Sequence, residues 1–140
     1  MRIKSIKFIA DYKMFPKGTE YSFGEGLNII KGKGGTGKST MSGILFKLAA
    51  GNKLSFVEVE YYKAKRLITD EEEGYSDFPT IIDDFGVINE VTADLMSSIK
   101  RYSNLLSRQV IICIRTHWSG KPLAVEEEED TNCITMPEMP

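Results

Sequence analysis

With 140 residues, 41% of them hydrophobic, the chain has material for one domain with a real core, and no low-complexity linker divides it. No run approaches the roughly 20 apolar residues of a spanning helix, and the opening MRIKSIKFIADYK does not resemble a signal peptide. Two distant cysteines, Cys113 and Cys133, make no disulfide framework, so the expected setting is a reducing cytoplasm, or a host cell's if the gene is viral.

The net charge of −2 hides an asymmetry. Residues 1–68 carry 13 basic side chains against 5 acidic ones, whereas residues 69–140 carry 5 against 15. A basic N-terminal half suits phosphates, whether of a nucleotide or of DNA; solvated surface lysines are the plainer explanation.

In chain order, RIKSIKFI (2–9) places Ile3, Ile6 and Phe8 among lysines, a half-buried strand with imperfect alternation. FPKGTE is turn chemistry, and a short strand around Tyr21–Phe23 follows it. Leu27–Ile30 is an apolar strand leading into a glycine-rich loop. Met41, Ile44, Leu45 and Leu48 then fall at helical spacing, so residues 39–50 read as a helix stopped by Gly51-Asn52. KLSFVEVEYY alternates as a strand does, and residues 69–78 form an acidic loop.

PTIIDDFG is a short strand ending in two aspartates. Val91, Leu95, Ile99, Tyr102 and Leu106 trace one face of a long helix, and QVIICI (109–114) is a strand covered on both faces. From Ser119 the periodicity fades into an acidic, flexible tail over 119–140, with an edge strand in NCITM as the alternative. The expected fold is α/β, a mainly parallel sheet flanked by helices with an N-terminal antiparallel β-hairpin, over residues 1–118.

The densest chemistry is GKGGTGKST, Gly32 to Thr40, with four glycines and two lysines in nine residues. Gly32, Lys33, Gly34, Gly35, Thr36, Gly37, Lys38 and Ser39 fit the phosphate-loop pattern G-x-x-x-x-G-K-[ST], between a strand and a helix. Glycines let successive backbone N–H groups turn toward a phosphate without Cβ clashes, and the following helix adds its positive end. Lys38 supplies a point charge for the β- and γ-phosphates, Ser39 a hydroxyl for Mg²⁺, and Thr40 a second hydroxyl near the α-phosphate. A bare glycine turn capping a helix does not need this many matched positions. The expected ligand is ATP with Mg²⁺; the N-K-x-D element of guanine-specific enzymes does not occur.

A magnesium site also needs a carboxylate, and Asp83 stands at the mouth of the Thr80–Ile82 strand, where open α/β sheets bind ligands. Asp84 is then placed to accept a proton from an attacking water. QVIICIRTHW brings Arg115, Thr116 and His117 to the same mouth, where His117 or Arg115 can meet charge on the γ-phosphate. A plain strand end followed by a solvated turn is the simpler alternative for each.

FGEGLNIIKGKGGTGKST resembles the N-terminal lobe of the SMC/RecF/ABC-type ATPases, whose pattern F-x-x-G-x-N-x-I-x-G-x-x-G-x-G-K-S-T is met by Phe23, Gly26, Asn28, Ile30, Gly32, Gly35, Gly37, Lys38, Ser39 and Thr40. IIDDFG resembles that family's Walker B strand, with Asp84 in place of its usual glutamate, and QVIICIRTH resembles the strand ending in its switch histidine, here His117. The resemblance covers about residues 1–50 and 78–118. It implies a P-loop NTPase, an ATPase acting in a DNA transaction, with a homodimer as its assembled form. No LSGG-type signature or Q-loop is present, and only 45 positions separate Lys38 from Asp83, which leaves no room for the family's helical insertion.

KGGTGKST also resembles the deviant loop of the ParA/MinD group, in which a lysine at the position of Lys33 reaches a partner's nucleotide. GNKLSFVEVE is similar to that group's next strand, with Glu58 or Glu60 in place of its aspartate, although the hairpin before Leu27 does not suit it. That resemblance implies a nucleotide-switched assembly protein. IDDFG, with Arg108 before the next core strand, is similar to viral packaging and helicase-loader-type ATPases. A third reading is a regulatory remnant that keeps the phosphate loop and docks on a larger ATPase.

Overall fold

The computed structural model describes residues 2–32, 37–63, 79–83, 93–105, 108–115 and 130–136, with the backbone alone at 83, 93–96, 114 and 115. In chain order the elements are β1 (Ile3–Phe8), β2 (Glu20–Ser22), β3 (Leu27–Gly32), α1 (Lys38–Ala49), β4 (Val57–Tyr61), β5 (Thr80–Asp83), α2 (Ala93–Leu105), β6 (Val110–Arg115) and β7 (Asn132–Thr135). The strands form an antiparallel sheet ordered β2-β1-β4 and an all-parallel sheet ordered β5-β6-β3-β7. The α/β class, the parallel sheet and the N-terminal antiparallel pair agree with expectation. The sequence does not disclose that β4 pairs with β1 and widens that pair to three strands.

The imperfect alternation of β1 has a local cause. Ile6 pairs with Val59 and Ser5 with Glu60, but the register then shifts so that Ile3 pairs with Tyr61. Lys4 is the extra residue of a bulge, and a bulge reverses the side-chain alternation beyond it. Ile3, Ile6 and Phe8 therefore bury together although three and two positions separate them.

In the parallel sheet, Leu27–Ile30 of β3 and Val110–Cys113 of β6 are buried at every position, as strands covered on both faces must be. Met41, Ile44, Leu45 and Leu48 of α1 join Ile30, Ile111 and Cys113 in a cluster that also takes in Ile3, Ile6 and Phe8. One core thus serves both sheets. Each such side chain contributes roughly 1.5–3 kcal/mol on burial, so the shared cluster is the main bond between the sheets.

A polar seam supplements it. Buried Gln109, just before β6, donates from Nε2 to the carbonyls of Ile3 and Gly24 and accepts from the Ile3 N–H. Buried Asn28 of β3 donates to the carbonyls of Gly24 and Gly26, and its Oδ1 accepts from the Gly24 N–H and from Asn132 Nδ2 of β7. The turn before β3 is thereby fixed to β1, β6 and β7 together.

Two expectations are corrected. The apolar spacing sets Ile99 and Tyr102 on the inner face of a long helix; Ile99 is half-buried, but Tyr102 is 43% exposed while Lys100 and Ser103 are buried. The helix is rolled so that a small residue meets the tight turn before β3. A Cβ on Gly26 would lie 3.9 Å from Ser103 Oγ, and that hydroxyl donates to the Arg108 carbonyl. Val91 and Leu106 lie outside the described residues, as does the side chain of Leu95.

The tail reading of 119–140 does not extend to residues 130–136. There the edge-strand alternative holds: β7 pairs in parallel with β3, and Met136 enters the core at 2% exposure. Alternation in so short a strand is too weak a signal beside an acidic run. Among the described residues no helix is long and apolar enough to cross a membrane.

Candidate functional site

The parallel sheet brings the expected site strands to one edge. β6 lies between β3 and β5, with Ile30 in register with Cys113 and Cys113 with Asp83. Gly32, the last residue of β3, is level with Arg115, the last of β6. Three strands of the same direction therefore run toward one side, β5 ending two residues short of the other two, and α1 starts six residues beyond the end of β3 and packs on β3, β5 and β6. Asp83 closes β5 at this edge, which is where the sequence reading sets it.

Gly32 is buried at the strand end. Lys33, Gly34, Gly35 and Thr36 lie outside the described residues, as do Asp84, Thr116 and His117; the side chains of Asp83 and Arg115 do too. Gly37 is the N-cap of α1 in the left-handed conformation (φ 88°), a backbone state that favours glycine. It has no side chain to cap the helix, and the first turn has no acidic residue. Among the described residues no side chain caps the opening N–H groups of α1.

Lys38 is the first residue of α1 and only 7% exposed, while Ser39 is exposed and Thr40 half-buried. Among the described residues the Lys38 ammonium has no hydrogen-bond or ion-pair partner. One turn on, the Ser42 hydroxyl is buried and without a hydrogen-bond partner among them.

The sequence reading missed what holds Gly37. A Cβ there would come within 2.9 Å of Met14 Sδ and of Phe15 Cζ. Both belong to a tight turn closed by hydrogen bonds between Tyr12 and Phe15 in both directions, each 2.8 Å. The turn residues FPKGTE were legible, but a contact between residues more than 20 positions apart has no local signature.

The positive charge of the N-terminal half does not gather on the outer row of the antiparallel sheet. Lys7 is paired across the strands with Glu20 on one side and Glu58 on the other. A depression of about 490 Å³ lined by Lys4, Glu25, Glu60, Tyr61, Tyr62 and Lys63 lies near the start of β3, at the opposite end of that strand from the glycine loop. Burial, with Glu25 adding to it, raises the Tyr62 phenol above its ordinary value, and that hydroxyl donates to the Phe23 carbonyl.

No protein-family model matches the chain, and no curated protein matches it.

Proposed function

We propose that the chain is a P-loop NTPase that binds ATP with Mg²⁺ through residues 32–40 and hydrolyses it. The observation that carries this reading is Lys38: a side chain only 7% exposed, with no hydrogen-bond or ion-pair partner among the described residues, at the start of a glycine-capped helix six residues beyond the strand end at Gly32. In this reading Lys38 meets the β- and γ-phosphates, and main-chain N–H groups of the loop and of α1 hold their oxygens. A hydroxyl at Ser39 and a carboxylate at Asp83 are hard oxygen donors of the kind Mg²⁺ takes alongside phosphate oxygens. Bound there, the ion would neutralise charge on the phosphates. Asp84 accepts the proton of the attacking water, and His117 or Arg115 meets the γ-phosphate.

The resemblance to SMC/RecF/ABC-type ATPases adds a DNA transaction as the setting and a homodimer as partner. The place of β4 supports that resemblance over the ParA/MinD one. The ParA/MinD likeness reads GNKLSFVEVE as the next strand of the phosphate-loop sheet, whereas β4 pairs with β1 in the antiparallel sheet.

Phosphate release from ATP and Mg²⁺, measured with and without duplex DNA, tests the reading. Asp84→Asn should retain ATP and lose turnover. A wild-type chain that binds ATP but never releases phosphate, alone or with DNA, would overturn the ATPase assignment and leave nucleotide-controlled assembly in its place.

A further inference from the structure

A segment far upstream in the chain meets Gly37. Residues 9–19 leave the antiparallel sheet as a small bent hairpin. Its base is held by Phe8 N–H donating to the Thr19 carbonyl and Gly18 N–H to the Phe8 carbonyl, at 2.8 and 2.7 Å. Asp11 Oδ1 accepts from the Lys17 N–H at 2.7 Å. Its aromatic side chains are locked: Phe15 stacks on Phe8 with centroids 4.7 Å apart, and Tyr12 stacks on Phe56 at 3.8 Å. Phe15 also meets Tyr21 edge-on at 6.1 Å.

At the tip, Lys13 is held at φ 49°, the one non-glycine residue with positive φ among those described. A backbone state this uncommon persists where surrounding contacts impose it. What the tip presents is Met14 and Phe15, and what they touch is Gly37. Phe15 is nearly fully buried, whereas Met14 is half-buried and reaches the glycine with its thioether.

We propose that Met14 and Phe15 are positioning residues for the phosphate loop. Their packing holds Gly37 in its left-handed state and so sets the direction of the first α1 amides and of Lys38. The inference rests on the nucleotide-binding reading and extends it: affinity for the phosphates depends on a hairpin of the antiparallel sheet that lies 20 residues upstream. Met14 is the informative position, because Phe15 also anchors the aromatic cluster.

The experiment compares the wild-type chain, Met14→Ala and Met14→Leu by titration with ATP and Mg²⁺, each with a thermal melt. Met14→Ala should weaken ATP binding on the order of tenfold with little change in melting temperature. Met14→Leu, which refills the contact, should restore most of the affinity. Wild-type affinity in Met14→Ala, or affinity loss only in proportion to lost stability, overturns the inference and leaves the nucleotide reading standing. A wild-type chain that binds no nucleotide overturns both, and the two failures are told apart by the wild-type titration alone.

Discussion

The side-chain amide of Gln109 pairs with both backbone polar groups of Ile3: Nε2 donates to the Ile3 carbonyl and Oε1 accepts from the Ile3 N–H, each at 2.8 Å. The amide stands where a neighbouring strand's peptide group would be, and it joins the antiparallel sheet to the parallel one at fully buried positions. Gln109→Glu puts a carboxyl in this slot. Its ionised form would face the Ile3 and Gly24 carbonyls and would be desolvated, so its folded pKa lies above the unfolded value of about 4.3. The sign follows from linkage. The variant is closest to wild-type stability below that pH and loses stability as pH rises through the folded pKa. Urea unfolding of both proteins from pH 4 to 8 checks this; a constant stability difference would contradict it.

Asn28 carries a second prediction. Its amide is fully buried and binds both polar groups of Gly24, the Gly26 carbonyl and Asn132. Asn28→Ala leaves several of these groups unsatisfied in the interior, at about 1–3 kcal/mol each where no water replaces the amide. The expected loss is on the order of 2–4 kcal/mol, read from chemical denaturation. A loss under about 0.5 kcal/mol, the range of a surface substitution, would show that the turn holds itself.

At Gly37 the backbone and the space agree. Alanine there meets a left-handed penalty of roughly 1–2 kcal/mol and a methyl group pressed against Met14 and Phe15, with overpacking typically costing 1–3 kcal/mol more. Met14 is flexible enough to move; Phe15, stacked on Phe8, is not. Gly37→Ala should therefore lose stability and ATP affinity together. Adding Met14→Ala should recover part of the stability, which a double-mutant cycle measures.

The lead-in to β7 is sensitive to acid. Buried Lys100 of α2 hydrogen-bonds Asp130 and Thr131, and the bond from Lys100 lowers the Asp130 carboxyl below its usual value. A depressed folded pKa contributes stability above the unfolded carboxylate value, and that contribution is lost as pH falls through the folded one. Asp130→Asn should melt earlier than wild type near neutrality and converge with it in acid. The effect should be small, because Asp130 is exposed and its pairing is screened by solvent.

How far these features were legible depends on the range of the interactions. β3, α1 and β6 were readable because a strand covered on both faces and a helical apolar stripe are written in adjacent residues, and the glycine loop lies between two of them. The bulge at Lys4 was visible only as a flaw in alternation, since the partner register that creates it lies on β4, more than 50 positions away. The roll of α2 is not legible in its apolar spacing, because two polar residues, Ser103 and Lys100, are buried on it through bonds to Arg108 and Asp130. Asn28 was matched as part of a motif, while its work in holding the turn required the positions of Gly24, Gly26 and Asn132. The Met14–Gly37 contact had no sequence signal. Asp83 was set correctly at its strand end, whereas Asp84 and His117 lie outside the described residues.

The proposed chemistry requires that the end of β3 and the start of α1 hold a polyphosphate. Calorimetric titration of wild type and Lys38→Ala with ATP and Mg²⁺ tests that most directly, with circular dichroism confirming that both are folded. Wild type should bind, and removing the ammonium should weaken binding by at least about tenfold, the loss expected when hydrogen bonds to a charged group disappear. Equal affinity in the two proteins, or a folded wild type that takes up no nucleotide, would contradict a polyphosphate site there.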